Sequence, residues 1–201
     1  MMILQTFTLP RSTQRTGFIA MLVALAALLA GCESMTPAEC KTADWRQIGL
    51  QDGSRGSTDR AADYYESCTK AGIVPDLALY RTGRAAGLPA YCRYGNAINE
   101  GLAGRSYEGV CPPEIDVNFR TFHGAAYRVQ DTRKSIDRLM REQDRMQREL
   151  GDKKTPDDRR RTLRDQLSRG DRQLWDVRNN LRDAEYQLER MTQDLRARGQ
   201  Y

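Results

Sequence analysis

Residues Leu29-Ala30-Gly31-Cys32 form the motif with the most specific chemistry in this chain. They follow a basic segment (residues 11–15) and an apolar run (residues 18–29). A basic region, a short apolar region and small residues at a cut site are the parts of a secretion signal. In proteins with such a lipobox, the cysteine thiol is acylated and the chain is cut just before it. We therefore predict a lipoprotein signal peptide at residues 1–31 and a lipid on Cys32.

The alternative for this segment is an uncleaved signal anchor. Its apolar run is about a dozen residues, whereas a helix needs roughly 20 to span a bilayer. One acyl chain holds a protein only weakly, but bacterial lipoproteins typically carry three. Glu33 follows the cysteine where an Asp would favour retention in the inner membrane. We therefore expect a lipid-anchored envelope protein, at the outer membrane and facing the periplasm.

Four further cysteines follow, Cys40, Cys68, Cys92 and Cys111. In an exported segment this number predicts two disulfides, since the periplasm is oxidising. Zinc sites use closely spaced cysteine pairs, and these gaps of 28, 24 and 19 residues contain none. No metal or other cofactor is predicted.

The predicted helices suggest how these cysteines pair. Helices at residues 44–55 and 58–70, joined by a tight turn, place Cys40 and Cys68 at the same end. Cys92 and Cys111 flank a later helix at residues 94–105, with enough loop to return. We therefore predict the disulfides Cys40–Cys68 and Cys92–Cys111, each contributing roughly 2–4 kcal/mol.

Enzyme chemistry has few candidate residues here. His123 is the sole histidine of the chain, and no nucleophile motif of the G-x-S-x-G type accompanies it. We expect it to be a packing or surface residue. Paired carboxylates could hydrolyse glycosides, and the candidate acids are Asp76, Glu100, Glu108 and Asp116. Five aromatic residues could form either a core or a sugar-binding platform, with the core favoured: Trp45, Tyr80, Tyr91, Tyr94 and Tyr107.

Glycines recur at helical spacing in the first half of the chain. Gly49 and Gly53 are four residues apart, as are Gly83 and Gly87, so each pair lies on one helix face. A phosphate cradle would need a G-x-G-x-x-G or P-loop pattern, which is absent. The spacing instead predicts close helix packing, with other glycines ending helices.

An ordered series of cysteine, glycine and aromatic motifs runs through the first half of the chain. The motifs are Cys40-x3-Asp44-Trp45, Ile48-Gly49-x3-Gly53, Cys68-x3-Gly72, Pro75-Asp76, Tyr80-x2-Gly83-Arg84-x2-Gly87-Leu88, Tyr91-Cys92 and Gly101-x2-Gly104-x2-Tyr107-x-Gly109-Val110-Cys111-Pro112. This series resembles a family of Gram-negative envelope lipoproteins defined by domain of unknown function 2799. The resemblance covers about residues 35–127 and implies a lipidated envelope protein with no established activity and no catalytic residues.

The second half of the chain has a heptad pattern and a different composition. Residues 32–126 contain 10 basic and 12 acidic residues, whereas residues 127–201 contain 20 basic and 15 acidic ones and no cysteine. Apolar positions repeat every seven residues, as in a coiled coil. They include Val129, Ile136, Leu139, Met146 and Leu150, then Leu163, Leu167, Leu174, Val177, Leu181, Ala184, Leu188, Met191 and Leu195.

A break near residues 151–154 predicts two antiparallel helices, at residues 116–150 and 156–198. Thr155 suits the N-cap of the second helix and Pro156 its first position. Gly170 falls within the heptad stripe and is expected to kink that helix.

Three functions of this hairpin compete. It could be a solvated arm packed on itself, or a surface for a protein partner or for self-association. The basic run Arg159-Arg160-Arg161 suggests a third, nucleic-acid binding, which the envelope location and the interleaved acids disfavour. An anionic envelope polymer or lipid headgroup could also use the run.

The predicted fold is mainly α. A small, disulfide-stapled, glycine-rich helical domain at residues 32–115 is followed by a long antiparallel coiled-coil hairpin at residues 116–201. We expect a non-enzymatic scaffold that is held to the membrane by its lipid and contacts partners through residues 128–201, without nucleic acid. The alternative is a cell-wall-active enzyme or glycan-binding module that uses the small domain.

The lipid prediction is tested by Cys32→Ser, because a hydroxyl cannot replace the acylated thiol. We expect the variant to lose fatty-acid labelling and lipoprotein processing, measured by metabolic labelling and mass spectrometry of envelope fractions. A variant that stays with membranes at the processed mass would contradict the prediction.

Overall fold

The structure, a computed structural model, describes residues 35–201. This range is mainly helical and contains no β-strand, which confirms the predicted mainly α fold. In chain order the helices are α1 (Pro37–Thr42), α2 (Trp45–Arg55), α3 (Ala61–Thr69), α4 (Leu77–Tyr91), α5 (Tyr94–Leu102), α6 (Pro113–Gly151) and α7 (Asp157–Ala197). The predicted signal peptide and Cys32 lie outside the described residues.

Local hydrogen bonds explain where helices differ from the predicted limits. Helix α3 begins at Ala61 rather than at residue 58, and the Ala61 backbone N–H donates to the Asp59 carboxylate at 2.9 Å. Helix α5 ends at Leu102 rather than at residue 105, because Gly104 takes a left-handed φ of 69° just beyond it.

Helix α1 is not among the helices predicted from the sequence. Its N-terminus is a capping box, in which Thr36 and Glu39 satisfy each other's backbone N–H groups. The spacing Thr36-x-x-Glu39 is therefore the sequence signal that predicts the start of this helix.

The described chain divides into two compact units. Within the described range, the first contains residues 35–43 and 62–75. It is closed by the predicted disulfide Cys40–Cys68, whose Cα atoms are 5.6 Å apart. Both cysteines are buried, so the cross-link lies inside this small unit.

In the second unit, residues 44–61 and 76–201, glycines bring helices α2 and α4 into backbone contact. A Cβ atom placed on Gly49 would lie 1.9 Å from the Tyr80 carbonyl oxygen. One placed on Gly83 would lie 2.0 Å from the Arg46 carbonyl oxygen. No side chain fits at these distances, which confirms the prediction of close helix packing.

The other predicted disulfide, Cys92–Cys111, joins the end of α4 to the segment before α6. It belongs to a buried cluster with Tyr91, Ala97 and Phe119. The Tyr91 and Phe119 rings stack with their centroids 5.4 Å apart. Aromatic packing and a covalent bond therefore fix the start of α6 against α4 and α5.

Helices α6 and α7 contact each other and share a core with α5. Ile98 of α5, Ala126 and Val129 of α6, and Leu188 and Leu195 of α7 form one buried cluster. Gly101 allows the approach of α6, since a Cβ there would lie 2.5 Å from the His123 carbonyl oxygen. The base of the long helices is thereby fixed to the rest of the unit.

The N-cap of the second long helix differs from expectation. Thr155 does not cap α7; its hydroxyl donates to the Glu149 carbonyl oxygen at 2.6 Å, and Pro156 occupies the N-cap position. This hydroxyl therefore satisfies an unpaired carbonyl at the end of α6. Helix α7 continues through Gly170 without interruption.

The glycine contact can be tested by Gly49→Ala. We expect the free energy of unfolding to fall by about 3 kcal/mol, because the new methyl group meets backbone that cannot move aside. Urea unfolding followed by circular dichroism measures it.

Gly124→Ala is the matched control. It also adds a methyl group within a helix, but nothing lies within 4 Å of that position. We expect it to be neutral or stabilising by up to about 1 kcal/mol. If both variants lose the same free energy of unfolding, the close approach of α2 and α4 does not cause the effect of Gly49→Ala.

Candidate interaction surface

The four candidate acids have different local surroundings. Asp76 caps α4 and accepts from the Leu79 backbone N–H at 2.9 Å. Glu100 accepts two hydrogen bonds from Arg105, each 2.6 Å long. Glu108 is exposed. The structure therefore gives Asp76 and Glu100 local structural partners.

The fourth acid, Asp116, belongs to a network that closes the second disulfide loop. Its carboxylate accepts from the Tyr107 hydroxyl at 2.5 Å and from Arg120 Nε at 2.7 Å. The Arg120 and Tyr107 hydrogen bonds lower the pKa of Asp116. The Tyr107 hydroxyl also accepts from the Cys111 backbone N–H at 3.0 Å. This network holds the loop against α6.

His123 is a buried packing residue of α6, as predicted. Its Nε2 donates to the Arg105 carbonyl oxygen at 2.8 Å. Its ring stacks near Phe119 and Tyr127, at centroid distances of 6.5 and 5.8 Å. The hydrogen bond fixes one ring nitrogen in a structural contact. Among residues 35–201, no group of His, Cys, Asp or Glu side chains is arranged to hold a metal ion.

The predicted core aromatics are buried or partly buried. Trp45, Tyr80 and Tyr91 are buried, and Tyr94 and Tyr107 are partly buried. The Tyr80 hydroxyl donates to Asp52 Oδ2 at 3.1 Å and accepts from the Arg60 backbone N–H at 3.1 Å. Burial raises the pKa of Tyr80 to about 12.

Two residues of the predicted basic run close the turn between the long helices. Arg159 donates two hydrogen bonds to the Glu149 carboxylate. Arg160 donates to the backbone carbonyl oxygens of Thr155 and Asp152. Arg161 is exposed. Arg159 and Arg160 therefore stabilise the turn.

Beyond this turn, the long helices leave a shallow cleft where Gly170 lacks a side chain. The cleft has a volume of about 350 Å³ and is lined by Leu139, Gln143, Met146 and Gly170, among others. Gln143 reaches across and donates to Asp171 at 2.9 Å. Polar side chains thus partly fill a gap in the apolar stripe.

The main surface feature is a pair of exposed aromatic residues on α7. Trp175 is 66% exposed and Tyr186 is 64% exposed. They are eleven residues apart, about three helical turns, so both lie on one side of α7. The buried Leu174 and Leu188 lie on the other side. We call the side of α7 that carries Trp175 and Tyr186, between residues 164 and 193, the outer face.

The outer face is not among the features predicted from the sequence, although the heptad pattern contains a signal for it. A heptad pattern predicts polar residues away from its apolar stripe, so a Trp and a Tyr there depart from the pattern. Large exposed aromatics are common at binding surfaces, because one residue provides much contact area.

Comparison with known protein families confirms the predicted resemblance. Residues 44–128 match the family model described as "Protein of unknown function (DUF2799)". No curated protein and no solved structure matches the chain. The matched region includes the glycine contact and the second disulfide and ends within α6.

Two tyrosines with raised pKa values predict how the protein responds to alkali. Burial raises the pKa values of Tyr80 and Tyr107 to about 12, whereas an unfolded tyrosine has a pKa of about 10. The unfolded state therefore loses protons first. Their contribution to stability is complete below about pH 10 and is lost as the pH rises through about 12.

We expect Tyr80 and Tyr107 to ionise at about pH 12, well above the ordinary tyrosine pKa of about 10. Ultraviolet titration of tyrosinate measures this, with Tyr80→Phe and Tyr107→Phe identifying each contribution. The prediction is wrong if removal of either tyrosine deletes a signal that titrates near pH 10.

Proposed function

We propose that this chain, which carries the DUF2799 region at residues 44–128, is a lipid-anchored envelope scaffold and not an enzyme. It would be held at the outer membrane, facing the periplasm, and would contact a protein partner or a second copy through the α6–α7 hairpin. The observation that carries this proposal is the exposure of Trp175 and Tyr186 on a long helix whose other side is already packed.

The anchor is supported by the sequence and by the redox chemistry of the fold. Leu29-Ala30-Gly31-Cys32 supplies the acylation site. The Cys40–Cys68 and Cys92–Cys111 bonds suit an oxidising compartment. None of the helices in residues 35–201 is long and apolar enough to cross a membrane. Lipid on Cys32 is the attachment that we propose.

We also propose that α6 and α7 form an antiparallel coiled-coil hairpin. Contacts between them support this arrangement. Arg133 binds Glu185 at 2.6 Å, and Gln143 binds Asp171 at 2.9 Å. Glu149 binds Arg159 at 2.6 Å near the turn. Each pair nearer the turn joins residues closer in sequence, as two helices running in opposite directions require.

Such a hairpin would work as a rigid arm. Helix α7 has 41 residues, and at 1.5 Å per residue it extends about 60 Å. Its base is fixed by the cluster of Ile98, Ala126, Leu188 and Leu195. Removing residues 128–201 would expose Ile98 and Ala126, so point changes on the surface test the arm better than deletion.

The test places a photo-crosslinking amino acid at Trp175 of the full-length protein in intact envelopes. We expect strong crosslinks, either to another protein or to a second copy. The control probe replaces Arg145, which is exposed on α6. Circular dichroism of both variants checks folding.

Mass spectrometry identifies the crosslinked species. The proposal fails if the probe at Trp175 captures no more protein than the probe at Arg145. It also fails if the lipidated protein supports envelope integrity unchanged after Trp175→Gln and Tyr186→Gln together.

A further inference from the structure

We propose that the outer face of α7 binds the same face of a second copy, side by side and in parallel, with the two helices in register. This inference rests on the proposed function, because it names the partner of the proposed arm. It is carried by a charge pattern on α7 that a parallel pair satisfies and an antiparallel pair does not.

The outer face repeats one short unit four times. In each unit, two adjacent residues of opposite charge are followed, three positions after the second, by a central residue. The units are Arg164-Asp165 with Ser168, Asp171-Arg172 with Trp175, Arg182-Asp183 with Tyr186, and Glu189-Arg190 with Gln193.

The central residues form a stripe along α7. Ser168, Trp175, Tyr186 and Gln193 are separated by seven, eleven and seven residues. Seven residues fall about 20° short of two turns, and eleven exceed three turns by about 20°. All four are therefore within a narrow sector, and all four are exposed.

The charged residues of each unit flank this stripe on opposite sides. At about 100° per residue, positions four and three before a central residue lie about 40° to one side and about 60° to the other. Asp171 therefore flanks Trp175 on one side and Arg172 on the other. Glu189 and Arg190 flank Gln193 in the same way.

A parallel pair related by a two-fold axis along the helices brings opposite flanks together at the same height. Asp171 of each copy then faces Arg172 of its mate, and Glu189 faces Arg190. Trp175 meets Trp175 and Tyr186 meets Tyr186 near the axis. Every charged unit is satisfied by the same unit of the second copy, and both aromatic residues lose exposed surface.

An antiparallel pair centred between Trp175 and Tyr186 gives the reverse result. Its two-fold axis lies across the helices and brings like flanks together. Arg172 then faces Arg190, and Asp171 faces Glu189. Like charges that face each other across a helix pair oppose association. The pattern therefore selects the parallel register.

The same pattern disfavours an anionic polymer or lipid surface as the occupant. The four units contain four arginines and four acids, so the stripe has no net charge.

The charged residues of these units also have contacts within the chain, which a second copy would have to replace or share. Asp171 accepts from Gln143 of α6 at 2.9 Å, and Glu189 accepts from Gln193 at 2.9 Å. Arg172 donates to Ser168 Oγ at 3.0 Å, and the Arg190 guanidinium is 6.0 Å from the Tyr186 ring centroid. These contacts are exposed and contribute little, and each carboxylate keeps a second oxygen for a partner.

A parallel register also suits the proposed anchor. A two-fold axis along the hairpin leaves the equivalent atoms of both copies at the same level. The two lipidated Cys32 residues can therefore enter one membrane, whatever the distance between each anchor and its hairpin.

The test uses disulfide trapping of the full-length lipoprotein in envelopes. Ser168→Cys and Gln193→Cys each introduce one thiol at a central position while keeping Trp175 and Tyr186. The parallel pair predicts that each variant crosslinks to itself. The antiparallel pair predicts a disulfide between positions 168 and 193 only when the two variants are co-expressed. Asn180→Cys, exposed on another side of α7, is the control.

Charge reversal provides a second test of the register. Asp171→Arg with Glu189→Arg, or Arg172→Asp with Arg190→Glu, should each lower the yield of Ser168→Cys dimers by at least about tenfold. Co-expression of the two reversed proteins should restore it, because each then faces opposite charges. Thermal unfolding of each variant checks folding.

The two proposals can fail separately. If Ser168→Cys and Gln193→Cys form no self-linked dimers while the probe at Trp175 captures another protein, the scaffold proposal stands and the second copy is excluded. If the two variants link only to each other, the parallel register is wrong. Reversed proteins that dimerise as well as the original exclude the charge pairing.

Discussion

The backbone contact between α2 and α4 is the constraint on which the rest of the second unit depends. Gly49 and Gly83 have no side chains, so each helix lies against carbonyl oxygens of the other. The contact gains dispersion energy along the backbones and needs few large apolar side chains. It also fixes the position of the end of α4, where Tyr91 and Cys92 contact the start of α6.

From that point the fold is fixed by a covalent bond and by aromatic packing. The Cys92–Cys111 disulfide returns the chain to the end of α4, where Phe119 is fully buried against Tyr91 and Tyr107. The first turns of α6 are therefore rigid, and the same helix continues to Gly151. A long helix with so many charged residues needs such a base, because its own apolar stripe is narrow.

The charges on the long helices have two uses, and Asp171, which accepts from Gln143 of α6, has both. Some link α6 to α7 or close the turn, as Arg133, Glu149 and Arg159 do. Others, such as Arg172 and Arg190, lie on the outer face beside exposed aromatics. Net charge alone does not distinguish these groups, since both contain acids and arginines. Their distinction depends on position around the helix.

Several features followed from the sequence alone, because they depend on local spacing. Glycines four residues apart predicted a smooth helix face, heptads predicted the long helices, and cysteines beside short helices predicted both disulfides. Asp59, Gly104 and Thr155 shifted boundaries or caps through single hydrogen bonds and one left-handed glycine, which spacing does not specify. Tertiary structure alone decided which backbone Gly49 touches, which carbonyl holds His123, and that Trp175 and Tyr186 remain uncovered. These depend on contacts between residues far apart in the chain, whose geometry is set only when the helices pack.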